Sequence, residues 1–207
     1  MRFFGSMKSA FGGSSKKKQL DQLVELGTML QSDPAGSASV QYFNTLKQRG
    51  ITPESMFLEI DKIYKCALAL AREVRDRPTE GEILYNLGRL YQDPPRKTII
   101  SAKTLSEAEM EAEVTRWIEK SAEREGIKTN QPVALSFYHQ ALEIARREHR
   151  PVLEASCLLN IAVAHRLLGE IQEHRSYVQQ ASDRVSYIED QHTRQQIERA
   201  VKMEKSR

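Results

Sequence analysis

The sequence predicts an all-α protein, a helical-repeat array of about three helix pairs with inserted segments, closed by a polar helix near the C-terminus. Three observations carry that prediction. Ten Gly and seven Pro in 207 residues are too few for the turns of a many-stranded protein. Apolar residues recur at three- and four-residue steps in one segment after another. The chain also matches itself: LYNLGRLY, from Leu84 to Tyr91, returns seventy-four residues later as LLNIAVAH, from Leu158 to His165.

Composition narrows the function classes. A net charge of +3 against 31 basic and 28 acidic side chains describes a mixed surface, which gives no case for wrapping nucleic acid. No uninterrupted apolar run approaches the ~18 to 20 residues of a membrane span. Cys66 and Cys157 both sit inside apolar helical patterns, as buried thiols of a reducing compartment do and disulfide frameworks do not. That places the chain inside a cell, with the cytoplasm first and a mitochondrion second.

The elements follow in order. From Pro53 to Asp76, Thr52 stands as N-cap and Pro53 at the first helical position, with Phe57, Ile60, Tyr64, Ala67, Leu68 and Ala71 on one face. A second helix, Thr79 to Gln92, is stopped by Asp93-Pro94-Pro95 because proline lacks the backbone donor. PPRKTIISAK is a loop, and Thr104 to Glu125 opens on the capping-box spacing T-L-S-E with Leu105, Met110, Val114, Trp117 and Ile118 available for burial. Further helices run over about 132–149, 152–168 and 170–188, and a polar one over about 193–204. The organisation is a basic and aromatic tail at 1–18, a helical domain at 19–188 with inserts at about 32–52 and 93–129, and a polar end at 189–207.

At an offset of 74, Tyr64, Ala67, Leu68, Ala71 and Arg72 fall on Tyr138, Ala141, Leu142, Ala145 and Arg146, while Leu84, Asn86 and Leu87 fall on Leu158, Asn160 and Ile161. At these residues the sequence resembles the tetratricopeptide repeat, whose first helix carries W-x2-L-G-x2-Y and whose second carries A-x3-F-x2-A. Leu84, Leu87, Gly88 and Tyr91 stand in the first motif, and Ala134, Tyr138 and Ala141 in the second. A further copy reads Leu158, Ile161, Ala162, His165, Gly169, Val178 and Ala181, with His174 where the family usually has Ala. LVELGTML, with Leu23, Leu26, Gly27 and Leu30, is an earlier copy partnered by the helix of Ile60, Tyr64 and Ala67. Spacings of 61 and 74 between first-helix motifs exceed the ~34 residues of the family repeat, which is why inserts are expected.

Stacked helix pairs curve, and their inner wall is lined by first-helix residues that the core leaves over. In this register these are Glu82, Tyr85, Asn86, Arg89 and Gln92, then Leu159, Asn160, Val163 and Arg166. Asn is suited to hold an extended ligand because its amide both donates and accepts, and the resemblance implies that role for Asn86 and Asn160. Arg89 and Arg166 favour acidic groups on the ligand. The expected function is therefore a non-enzymatic interaction module, an adaptor or assembly subunit, that binds a protein or peptide through Tyr85, Asn86, Arg89, Asn160 and Arg166. A competing partner site is the insert helix, with Trp117 as anchor. The helix-packing role of the same residues is the plainer alternative.

The segment MRFFGSMKSAFGGSSKKK has no acidic residue and interleaves Phe3, Phe4 and Phe11 with basic residues ending in Lys16, Lys17 and Lys18. That combination suits an anionic membrane surface, or a neighbouring subunit with pockets for the rings. The run FFGSMKSAFGGSSK resembles the membrane-attachment loop of the proteins that recruit the SNARE-disassembly ATPase. A targeting segment and a solvated tail are the alternatives. Catalysis has little to stand on: five His show no H-E-x-x-H, there is no Cys pair at metal spacing, and GGSSK lacks the phosphate-loop spacing. No metal and no cofactor are expected.

Overall fold

The computed structural model of the chain describes residues 15–33, 36–48, 56–93 and 130–206. Within them lie eight helices and no strand. They are α1 (Lys16–Ser32), α2 (Ser37–Gln48), α3 (Met56–Glu73), α4 (Arg77–Gln92), α5 (Gln131–Arg147), α6 (Pro151–Leu168), α7 (Ile171–Val185) and α8 (Gln191–Lys205). Short polar side chains start four of them. Ser15, Asp76, Asn130 and Asp190 each accept a hydrogen bond from a backbone amide in the first turn, satisfying a donor that the helix leaves over. The helix after Asp76 therefore begins two residues earlier than the expected Thr79, which is instead the residue that donates to the cap.

Three antiparallel pairs form the array: α1 with α3, α4 with α5, and α6 with α7. Each second helix also packs on the first helix of the next pair, and α8 takes the place that a first helix would hold after α7. The first helices touch one another in sequence, α1 to α4, α4 to α6 and α6 to α8, whereas α3, α5 and α7 do not touch among the described residues. A layer whose members meet is the inner layer of a curved stack, so the first helices line the inner side.

The self-similarity of the sequence is carried into atomic detail at the turns between pairs. Arg75 and His149, seventy-four apart, adopt left-handed backbone with φ of 58° and 52°. The next amide in each turn reaches back to the helix it leaves, Asp76 N to Ala71 O at 2.9 Å and Arg150 N to Ala145 O at 2.8 Å. Arg72 then donates to Glu80 at 2.8 Å, and Arg146 to Glu154 at 3.0 Å. Each acid is buried, so its charge is held by the guanidinium of the preceding helix.

Glycine is required twice by close approach. A Cβ on Gly27 would lie 2.7 Å from Cε1 of Tyr64, and one on Gly88 would lie 2.5 Å from Cε1 of Tyr138, so each first helix touches the flat ring of its partner helix. In the third pair the same positions hold Ala162 and Val178, both buried, where a methyl group replaces the ring that is no longer there.

α2 was not foreseen, since SASVQYFNTLKQ offers only Val40, Phe43 and Leu46 at three-residue steps. Phe43 and Leu46 are buried and Tyr42 donates to Glu59 on α3 at 3.0 Å, which fixes this inserted helix to the first pair. The other insert leaves after Asp93 and returns at Asn130, whose amide donates to Tyr91 O at 3.2 Å. The Trp117 helix expected between them lies outside the described residues. α6, Pro151–Leu168, is long and apolar enough to cross a membrane by length and composition, although polar residues interrupt it. Its apolarity has a packing cause, because it contacts α4, α5, α7 and α8.

Candidate functional site on the inner helix layer

The residues expected on the inner wall divide into those that hold the array together and those that do not. Gln92 and Leu159, expected to be left over by the core, are buried. Gln92 is the centre of a relay. Tyr138 on α5 donates its hydroxyl hydrogen to Gln92 Oε1 at 2.8 Å, and Gln92 Nε2 donates to the backbone oxygen of Asn160 on α6 at 3.0 Å. The same relay occurs one pair earlier: Tyr64 donates to Gln31 Oε1 at 2.9 Å, and Gln31 Nε2 to the backbone oxygen of Asn86 at 3.2 Å. Thus a second helix, its own first helix and the next first helix are joined through one amide, twice.

Burial pushes the Tyr64 phenol up to about 12, against the opposing effects of the Thr28 hydrogen bond and the Arg89 charge. Tyr138 is raised too, chiefly by burial. Both therefore remain donors over the whole neutral range. Gln31 and Gln92 were not singled out as relay residues from the sequence. The signal was present: each lies four residues after its glycine, and the two are separated by the same 61 positions as the glycines.

The two asparagines, equivalent in sequence, are not equivalent in use. Asn160 Nδ2 donates to the Tyr85 hydroxyl at 3.0 Å and to Ser156 O at 3.1 Å, which ties α6 to α4. Tyr85 is half-buried with its ring 5.9 Å from that of Tyr138, and its phenol is raised, first by burial. Asn86 has only its backbone oxygen engaged; its side-chain amide makes no hydrogen bond among the described residues. The cause is one residue on the preceding first helix. Where α4 offers Tyr85 to Asn160, α1 offers Val24 to Asn86, and valine has no hydroxyl.

Arg89 stands three residues on from Asn86, on the same side of α4. It is exposed and has no ion pair among the described residues, and its charge bears on Tyr64, Tyr85 and Tyr138. Arg166 is committed elsewhere: its Nε donates to Glu204 on α8 at 3.1 Å. Glu82 is paired with Arg150 at 2.7 Å. The wall thus brings Asn86 and Arg89 together as an outward pair, while Tyr85, Asn160 and Arg166 serve the packing of neighbouring helices.

The remaining expected residues lie elsewhere. Phe3, Phe4, Phe11 and Trp117 are outside the described residues. Lys16, Lys17 and Lys18 belong to the first turn of α1 rather than to the tail. Lys16 pairs with Glu73 at 2.5 Å, and Lys17 pairs with Asp76 and with Asp21. Cys66 is half-buried and Cys157 buried; both are free, and burial raises both thiols. Among the described residues no three His, Cys, Asp or Glu side chains converge as a metal-binding group. Neither a protein-family model nor a curated protein matches this chain, so its inner wall has to be read from its own residues.

Proposed function

We propose that this protein is a non-enzymatic interaction module of the tetratricopeptide type, an adaptor or assembly subunit whose inner wall holds an extended peptide segment with an acidic group. One observation supports this reading above the others. In a layer where Tyr85, Gln92, Asn160 and Arg166 are used internally, the Asn86 amide and the Arg89 guanidinium are left with no partner among the described residues. The amide supplies both a donor and acceptors for the backbone of an extended segment, and the guanidinium supplies a fork for a carboxylate. Asn160 keeps its Oδ1 for the same strand, one helix further along. The two free thiols fit a reducing cellular compartment.

The test uses the full chain as bait, with partners identified by mass spectrometry after affinity capture. Asn86→Ala combined with Arg89→Ala leaves helix content and thermal midpoint unchanged, because neither side chain is needed for packing. It reduces partner recovery by about tenfold, the scale of one lost charge-assisted contact. Full recovery with the double variant removes the inner wall as the partner site. If recovery depends on Trp117 instead, the insert helix carries the function.

A further inference from the structure

Beyond the inner wall, the end of the array presents a second surface of defined chemistry. The second helices superimpose by sequence spacing, so that Phe57, Gln131 and Ile171 occupy one position. The first two are covered, at 9% and 5% exposure, and Phe57 packs edge-on against Tyr91 of the next first helix at 5.2 Å. Ile171 is 46% exposed, because the residue at Tyr91's place on α8 is Lys205. Leu167 and Leu168, at 54% and 42%, are exposed at the end of the preceding helix α6. A position that the first two pairs cover, with Phe57 in one and Gln131 in the other, is therefore open at the third, where it holds an isoleucine.

Beside Ile171, α7 and the end of α8 enclose a cleft of about 430 Å³, whose lining includes Arg166, Arg175, Val178, Glu204 and Lys205. Its one acid is neutralised inside the fold, since Glu204 is buried and accepts from Arg166. Arg175 has no ion pair among the described residues, and Lys205 donates only to the neutral Ser182 hydroxyl at 3.0 Å. The opening is thus apolar at Ile171 and positive at Arg175 and Lys205. A larger cleft of about 850 Å³ at the opposite edge differs in this respect: its Arg146 and Arg184 both close on Glu154, and its Asp190 caps α8.

We infer that the cleft at the end of the array is a docking site for a short acidic segment of a partner protein, one that inserts a single bulky apolar side chain between flanking carboxylates. The volume suits one or two side chains rather than a whole helix. Ile171 takes the anchor, while Arg175 and Lys205 take the carboxylates. The partner is acidic because a second copy approaching through the same face would set these two cations against their own counterparts.

The experiment measures fluorescence anisotropy of a labelled short peptide, with Leu or Phe anchors flanked by Glu, against the full chain. The expected result is binding that weakens with salt and is absent for the same peptide with Lys in place of Glu. Arg175→Glu weakens it by about tenfold and Ile171→Asp removes it, with the helical signal and thermal midpoint retained because both side chains are exposed. Asn86→Ala with Arg89→Ala leaves this binding intact. Equal binding of the Lys peptide, or no effect of Arg175→Glu, overturns the proposal. Loss of binding in the Asn86 and Arg89 double variant also overturns it and assigns the peptide to the inner wall. Wild-type dimerisation that Ile171→Asp abolishes, seen by sedimentation, makes the surface a self-interface and overturns it as well.

Discussion

The junctions that continue the array and the junction that ends it solve the same packing problem differently. Where the array continues, Tyr64 lies on Gly27 and reaches Asn86 through Gln31, and Tyr138 lies on Gly88 and reaches Asn160 through Gln92. The acceptor on the next helix is a backbone oxygen, which any sequence presents, so the device can be repeated without specifying the neighbour's side chain. At the end, Val178 has no hydroxyl, Arg166 stands in place of Gln92, and its partner is the Glu204 side chain. His174 adds contacts from its two ring nitrogens to Ala162 O at 3.1 Å and Glu204 O at 3.3 Å. α8 itself shows why nothing further stacks in the same way: the positions of Leu84 and Gly88 hold Glu198 and Lys202, both exposed. The glutamine relay to a backbone oxygen recurs where the stack continues, whereas the cap adds an ion pair between side chains, Arg166 with Glu204, that only this neighbour supplies.

The largest test of this contrast is Gly88→Ala. The added Cβ would meet the ring of Tyr138, which is fully buried and tied to Gln92 and so has no room to turn. A loss of about 3 kcal/mol is expected in chemical denaturation. Tyr138→Val in the same chain recreates the Ala162 and Val178 pair, and the double variant is expected to be less destabilised than the sum of the singles by about 1 to 2 kcal/mol. Simple addition of the two losses would show that ring and glycine are not a matched pair.

Gln92→Leu comes next. It removes the acceptor of the Tyr138 hydroxyl and the donor to Asn160 O while nearly keeping volume, and is expected to cost about 2 kcal/mol. Gln31→Leu makes the same change one pair earlier, where Tyr64 and Asn86 lose their partner, and its cost is expected to be of the same order. A cost near zero for both would mean that the relays do not link successive first helices.

Alkaline pH attacks the same relays together. Tyr64 titrates near 12 in the folded chain and near 10 when unfolded, so above pH 10 the unfolded chain releases its proton first. Stability is then lost as pH rises, at up to about 1.4 kcal/mol per pH unit for each such tyrosine, until the folded phenol ionises as well. Replacing Tyr138 by Phe is expected to flatten part of that slope. An unchanged slope would place the alkaline sensitivity elsewhere.

The array was legible because its signals are local and doubled: two glycines 61 apart and two tyrosines 74 apart, each within a matching helix. α2 was not, since Phe43 and Leu46 find their burial against another part of the chain rather than in a long helical stripe. On the wall, position alone could not separate Asn86 from Asn160, because the difference lies in a residue 62 or 75 positions away, Val24 for one and Tyr85 for the other. Arg166 looked like a ligand-facing cation for a similar reason: its partner Glu204 arrives from a helix that the motif does not describe.

The smallest effect concerns the aromatic seam that runs beside these relays. At the second pair it consists of Lys65, Tyr91 and Phe137, with Lys65 6.0 Å from the Tyr91 ring and the two rings 5.5 Å apart. At the third pair the equivalent positions are His139, His165 and Tyr177, with the His165 ring stacked on Tyr177 at 5.2 Å and His139 meeting Tyr177 at 6.0 Å. Only the second of these seams contains histidines. Burial first, then the neighbouring His165 and Arg146, hold His139 below the usual histidine range. Its folded form therefore takes up a proton later than its unfolded form, and its contribution to stability is lost as pH falls from the ordinary histidine value toward the depressed one. Glu170, 2.5 Å from His165 Nδ1, is the acid on this seam and acts on His165 rather than on His139. Because His139 is only partly covered and remains open to solvent, the expected loss between about pH 7 and pH 5 is under about 0.5 kcal/mol. Comparing the thermal midpoint of the wild type with that of His139→Gln across this range isolates it. Convergence of the two curves at low pH is the expected outcome, and parallel curves would remove His139 as the cause.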